Sequence, residues 1–503
     1  MKATKQIVAF LLSFAILLTM IPAGAISAFA AGYYDSTLEG VVLTSNNSGL
    51  KDVSVFVYDI TEQEIVDYYK TGSNGKWSTS ECVSGNKYLV SYYHRDYTFS
   101  TDKFIVDAVT GTLTLDTVTA TKIGGDYTES DASLFEYEII NGNDIKITKY
   151  SGSVETLVIP STIDGYTVKA IGNYVFQENK KLKKVVLPET IESIGDGAFY
   201  ECTNLADVKF SAGLINIASS AFYKCVSLAN IKLPNTLTSI GSSAFSNCTS
   251  FTNVVLPDSI STIREYAFSC DDWGDSESNL TSINFPMAWT TAGWEIFNNC
   301  QKLTSITIPE GVVKIPNNAF YGAEHLTDVD MPNTLVTVGE YAFYECTGLE
   351  SVTLPDSVTT IGNGCFSECS NLSEIKISNN LVTIGSYAFS DCDALTEINL
   401  PQTLVTIKSG AFNGCDGFTK INLPNSVTTI NEYAFADCKN LSKINYPTSL
   451  TTTGWEIFQG CTKLKSITVP EGVVALPDNV FYGADGLTEV ILPIPLLSMP
   501  LGN

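Results

Sequence analysis

Fourteen phenylalanines recur along this chain at a spacing of 23 residues: Phe176, Phe199, Phe222, Phe245, Phe268, Phe297, Phe320, Phe343, Phe366, Phe389, Phe412, Phe435, Phe458 and Phe481. One step, Phe268 to Phe297, is 29 residues. Units this short cannot each close a core; every one must bury its apolar face against its neighbours. The spacing therefore predicts a solenoid. A chain of 503 residues is also too long for a single ordinary core.

Residues 303–325, LTSITIPEGVVKIPNNAFYGAEH, show one unit plainly. Leu303, Ile306 and Ile308 have the period of a short strand, with the two isoleucines inward and Thr307 outward. Pro309 closes the strand because it cannot donate to a ladder. A second extended piece follows, usually V/L-x-x-I-G, in which a glycine turns the chain. The AFxxCxxL stretch is too short for a long helix and reads as a single helical or 3₁₀ turn. Stacked strands advance about 4.8 Å per unit, so the array predicts a rod or arc about 65 Å long.

Ahead of the array, Lys2 and Lys5 precede an apolar run from Ile7 to Met20, and Ala28-Phe29-Ala30 fits the small-x-small cleavage rule. Residues 1–30 are thus expected to be a signal peptide cut after Ala30. Residues 31–122 carry four strand-like segments, LEGVVL, VSVFVY, KYLVSYY and TLTLDTV, punctuated by SNNSG and GSNGK, and predict a small all-β domain. Residues 123–133 read as a polar linker. FEYEIINGNDIKITKY at 135–150 reads as a hairpin around NGND, placed to cap the open end of the array within a 134–503 solenoid.

The order strand, GLKDVSVFVYD, TGSNGKW, SGNKYLVSYY resembles the carboxypeptidase-regulatory and Cna-B-like β-sandwiches of exported bacterial proteins. The first strand has no Lys and the last no Asn, so the isopeptide bond of many Cna-B domains is not carried over. The repeat, from IPSTIDGYTVKAIGNYVF (159–176) through units such as LPDSVTTIGNGCFSECSNL (354–372), resembles the BspA-like leucine-rich repeat family. That resemblance implies a leucine-rich-repeat solenoid of short parallel strands and short helical turns behind a small β-sandwich. It also implies an exported surface protein active in adhesion, with no catalytic residues in the repeat. A larger repeat lies inside the small one: residues 293–329 match 454–490 at an offset of 161, seven units of 23.

Net charge is −25, which argues against nucleic acid and against docking on anionic lipid. After signal removal no second apolar stretch reaches membrane length, so a secreted or cell-surface location is expected. Ten of the 13 cysteines stand three residues after a repeat phenylalanine, but Ala323 and Ala484 fill the same rung. Alanine can replace a small buried group but not half of a bridge, so free thiols are expected. Only two histidines occur, with no HExxH, GxSxG or Walker loop; no catalytic site, cofactor or metal site is assigned.

Three surface features are candidates for ligand contact. In the insertion DDWGDSE, Asp271, Asp272 and Asp275 could hold calcium and Trp273 could touch a partner; the segment lacks the alternating acids and closing Glu of an EF-hand loop, so a tolerated surface loop is the preferred reading. Trp294 and Trp455 occupy a place filled elsewhere by Asp196, Ser219, Ser242, Glu340 or Ser386, and so are either exposed recognition residues or rings lying flat over neighbouring tyrosines. Asn399, Asn422 and Asn445 form an outward row that is either an amide ladder or a polar contact face. The expected function is non-enzymatic binding of an extracellular protein or glycan. The alternatives are a matrix component self-associating through the C-terminal edge, and a carbohydrate-binding module.

Overall fold

A computed structural model describes residues 36–94, 96–107, 110–122, 127–270 and 277–494. The proposed signal peptide, most of the 271–277 insertion and the last nine residues lie outside these ranges. Each repeat forms one coil, in most cases with two short strands. The first strands pair in parallel and in register, as Lys184–Val186 does with Asp207–Lys209. The second strands run through longer sheets, one of them continuing Ser193–Ile194 to Asn216–Ile217 and Ser239–Ile240. Their isoleucines, Ile194, Ile217 and Ile240, are fully buried.

The repeat phenylalanines face one another down the core. Thirteen rings, Phe176 to Phe458, stack continuously with centroids 4.9 to 6.2 Å apart and planes within 21° of parallel. The two widest steps flank Phe297, where the six extra residues enter. Burying a ring of this size contributes about 1.5–3 kcal/mol, so the column is a major source of cohesion between coils.

The segment around each phenylalanine departs from the expected helical turn, and among the described residues there is almost no helix. Residues two before and two after the ring adopt the left-handed conformation: Tyr341 and Glu345 around Phe343, Asn318 and Gly322 around Phe320. This alternation turns the backbone donors sideways. Tyr341, Phe343 and Glu345 donate to the carbonyls of Asn363, Cys365 and Ser367 in the next coil, at 2.8–2.9 Å. A helix would have used those donors internally. The left-handed state of a non-glycine residue costs on the order of 1 kcal/mol, which these inter-coil bonds offset.

At the N-terminal end, β10 (Phe135–Asn141) and β11 (Asp144–Tyr150) form an antiparallel hairpin, and β11 pairs in parallel with Tyr166–Ile171. Tyr150 extends the ring column, 5.3 Å from Phe176. The stretch read as a linker is tied down over its described part. Ser130 donates to the Val158 carbonyl at 2.8 Å, and Lys184 sits over the Tyr127 ring.

The preceding domain is a pair of sheets. One contains β1 (Ser36–Thr44), β4 (Lys76–Cys82), β6 (Tyr97–Phe99), β8 (Thr112–Thr114) and β9 (Val118–Lys122). The other is β3 (Glu64–Lys70), β2 (Ser54–Asp59), β5 (Tyr88–Tyr93) and β7 (Lys103–Val106), in that order and antiparallel. Their shared core includes Val42, Val55, Val57, Trp77, Val90 and Val118. β2 and β5 are buried at every position, because their second face, Phe56, Tyr58 and Leu89, joins the solenoid core. The domain is therefore docked on the array, over the corner where each coil turns at its proline.

Candidate recognition surface

Docking decides which faces of the solenoid remain open. Five successive coil corners meet the β domain, the first at Ser211 and the other four at Pro234, Pro257, Pro286 and Pro309. Tyr93 donates to the carbonyls of Phe210 and Lys232, and Asn235 donates to those of Ser54 and Ser91, both at 3.0 Å. Asp258, only 3% exposed, pairs with Lys103. Met287 packs beside Ile60 at the corner of Gly311, whose carbonyl accepts from Gln63 at 2.7 Å. Only the Asp258 end of this pair is buried, so leaving that carboxylate without Lys103 penalises any other seating.

The strand face beyond these coils is polar. Asn399, Asn422 and Asn445 are all exposed there, but the amide ladder is not formed. Asn445 instead bridges the backbone of Leu423, accepting from its N–H at 2.6 Å and donating to its carbonyl at 2.8 Å. Asn284 does the same to Leu256. Short polar side chains compete with the backbone for such partners. The strands leading to Asn284 and Asn445 end just before them, at Ile283 and Ile444.

The turn edge, which carries the left-handed residues, is different in kind. Among the described residues, seven aromatic side chains are strongly exposed, by 37–57%: Tyr174, Tyr266, Trp294, Tyr341, Tyr387, Trp455 and Tyr482. All seven sit three before, two before or one after a repeat phenylalanine, so all line this one edge. Trp294 and Trp455 thus stand in the open, and Trp455 meets Tyr482 edge-on at 5.3 Å rather than lying flat. Sequence reasoning found the two tryptophans and missed the tyrosines. The signal was present in the residues flanking each phenylalanine. Tyr341 and Tyr387 each lie over a glycine of the following coil, Gly364 and Gly410, where an added Cβ would fall 2.3 Å from the ring.

Between Trp294 and Tyr387 the edge is also acidic. Tyr321 and Tyr344 stack at 4.6 Å, and the Tyr344 hydroxyl bonds the Glu368 carboxylate. Burial and the nearby Glu368, Glu324 and Glu295 raise the Glu345 carboxyl above its ordinary value. Among the described residues no three acidic, histidine or cysteine side chains group closely enough to hold a metal ion. Asp271, Asp272, Trp273 and Asp275 lie outside the described residues.

The cysteine rung is structural. All thirteen cysteines are buried free thiols. Each ladder thiol donates to the phenylalanine carbonyl one coil earlier, as Cys346 does to Phe320 and Cys369 to Phe343, both at 3.1 Å. Burial pushes Cys202, Cys300 and Cys369 up to about 12 and Cys225, Cys346 and Cys392 well above the ordinary thiol range. Such thiols are inert as nucleophiles.

The sequence matches the model of the BspA-type leucine-rich repeat region at residues 169–301, 275–396 and 382–500. The chain belongs to that family. The BspA-type array also resembles a solved leucine-rich repeat protein from Bacteroides ovatus. Identity is 26%, the TM-score is 0.53, and the match covers 73% of this chain and 100% of the other. A leucine-rich cell surface protein from Faecalibacterium prausnitzii is 28% identical over 64% of this chain and 95% of its own, with a TM-score of 0.37. A leucine-rich repeat protein of T. pallidum is 31% identical over 44% of this chain and 91% of its own, with a TM-score of 0.34. No curated protein matches the sequence. Among the described residues no helix is long and apolar enough to cross a membrane.

Proposed function

We propose that this BspA-type protein is a non-catalytic binding protein, exported through its N-terminal signal and displayed at the cell surface or secreted. It recognises an extracellular protein or glycoconjugate along the turn edge. The observation that carries this reading is that every strongly exposed aromatic side chain among the described residues lines that edge. Water-facing aromatic rings, tryptophan above all, mark recognition surfaces, since each buries a large rigid area at low entropic cost. The β domain, which resembles the Cna-B-like sandwiches, serves as a brace over the proline corner.

The test is a panel of extracellular proteins and glycans probed with the whole protein and with Trp294→Ala/Trp455→Ala. A hit weakened at least about tenfold by the double variant, at unchanged melting temperature, is the expected result. Undiminished affinity would place recognition on another face.

A further inference from the structure

The aromatic edge also carries information about what it fits. Near its middle, Tyr321, Tyr341 and Tyr344 form a partly exposed group, with Tyr321 and Tyr344 face to face and Tyr341 edge-on to Tyr344 at 6.0 Å, and Trp294 stands exposed on the same edge one coil earlier. Around the rings stand Glu295, Glu324, Glu345 and Glu368. None of the four carboxylates is in an ion pair among the described residues. Elsewhere acids on neighbouring coils do find lysines, as Asp416 finds Lys439 and Asp207 finds Lys184. At the rings Glu368 accepts from the Tyr344 hydroxyl, but no cation offsets the mutual repulsion of the four acids.

We infer that this part of the turn edge docks a polypeptide segment bearing arginine or lysine, whose cationic groups lie against the tyrosine rings while the four glutamates neutralise them. The inference rests on the binding function proposed above and names its partner class. Ring faces attract cations through their quadrupole, and an arginine plane stacks on tyrosine while bonding a carboxylate in the same contact. A neutral sugar would use the rings but draw nothing from four uncompensated carboxylates. A metal ion would need them closer together than they are.

The probe is a fluorescein-labelled decapeptide of alternating arginine and glycine, with citrulline replacing arginine in the control, titrated by anisotropy against the whole protein. Glu345→Gln/Glu368→Gln should weaken the arginine peptide about tenfold, and Tyr321→Leu/Tyr344→Leu comparably. Asp328→Asn/Glu374→Gln removes the same charge from the strand face, where both residues are exposed, and should change binding less than about twofold. Equal weakening by both acidic pairs, binding of the citrulline peptide as tightly as the arginine one, or no binding at all would overturn the inference. A panel hit that falls with Trp294→Ala/Trp455→Ala but ignores Glu345→Gln/Glu368→Gln would overturn it while leaving the proposed function intact.

Discussion

The duplicated block puts two nearly identical stretches in different surroundings. In the first copy, Phe285-Pro286-Met287-Ala288-Trp289 leads into 293–329; in the second, Tyr446-Pro447-Thr448-Ser449-Leu450 leads into 454–490. Within the coils the two agree: Phe297 and Phe458 both join the ring column, and Cys300 and Cys461 both donate one coil back. At the proline corner they part. Gly311 and Gly472 share a left-handed backbone, φ 101 and 95. A Cβ at Gly311 would fall 2.6 Å from Ile60 of the β domain, whereas one at Gly472 would meet nothing within 4 Å. Both corners keep a hollow, but Ile60 and Leu89 of the β domain wall the first, while the second is lined only by coil residues such as Thr448 and Leu450. The coil is thus set by local repeat chemistry, while the docking is set by a few side chains at the corner, Met287 among them.

The largest expected effect tests what the copies share. Folding raises the thiols of Cys202, Cys300 and Cys369 to about 12, so the folded chain keeps protons that the unfolded chain releases above its ordinary thiol value. Stability is then full below that value and falls as pH rises from about 9 towards 12, by roughly 1.4 kcal/mol per thiol per pH unit. Melting temperature in reducing buffer should drop steeply above about pH 9; a flat profile would contradict the buried ladder. Next, Gly311→Val and Gly472→Val impose the same backbone strain, about 1–2 kcal/mol. Only the first should also release β2 and β5, seen as faster hydrogen exchange in Ser54–Asp59 and Tyr88–Tyr93. Equal exchange in both variants would show that the corner contact does not hold the domain. The smallest difference concerns Asn284 and Asn445, which make the same backbone bridge under and away from the domain. Asn284→Ala should cost about 1 kcal/mol, since the domain narrows water's access to the freed Leu256 backbone, and Asn445→Ala about 0.5 kcal/mol. Chemical denaturation of the pair measures the gap.

What the sequence made legible follows from period. Strands, inward isoleucines, the ring column and the free thiols all repeat every 23 residues, and each has a simple chemical reason to face inward. The turn conformation was hidden because Tyr, Glu, Ser and Lys occupy left-handed positions that glycine fills only in some coils. The aromatic edge was half visible, since its tyrosines stand at two different offsets from the phenylalanine and blur into ordinary surface variation. Docking was least visible: Asn235 and Asp258 look like any other residue after a proline, and their partners lie 144 and 155 residues earlier, at Ser91 and Lys103. The run SVFVYD in β2, apolar without alternation, was the one sign that a strand would be covered on both faces.

The inter-coil hydrogen bonds all run along the long axis, so tension applied between the two ends would load them one row at a time. Most of the array would then yield by shedding single coils. The five coils spanned by the β domain differ, because Tyr93, Asn235, Asp258 and Gly311 fasten them to one rigid body across the direction of pull. That domain works as a mechanical clamp, and extension under load would begin in the uncovered coils toward the C-terminus.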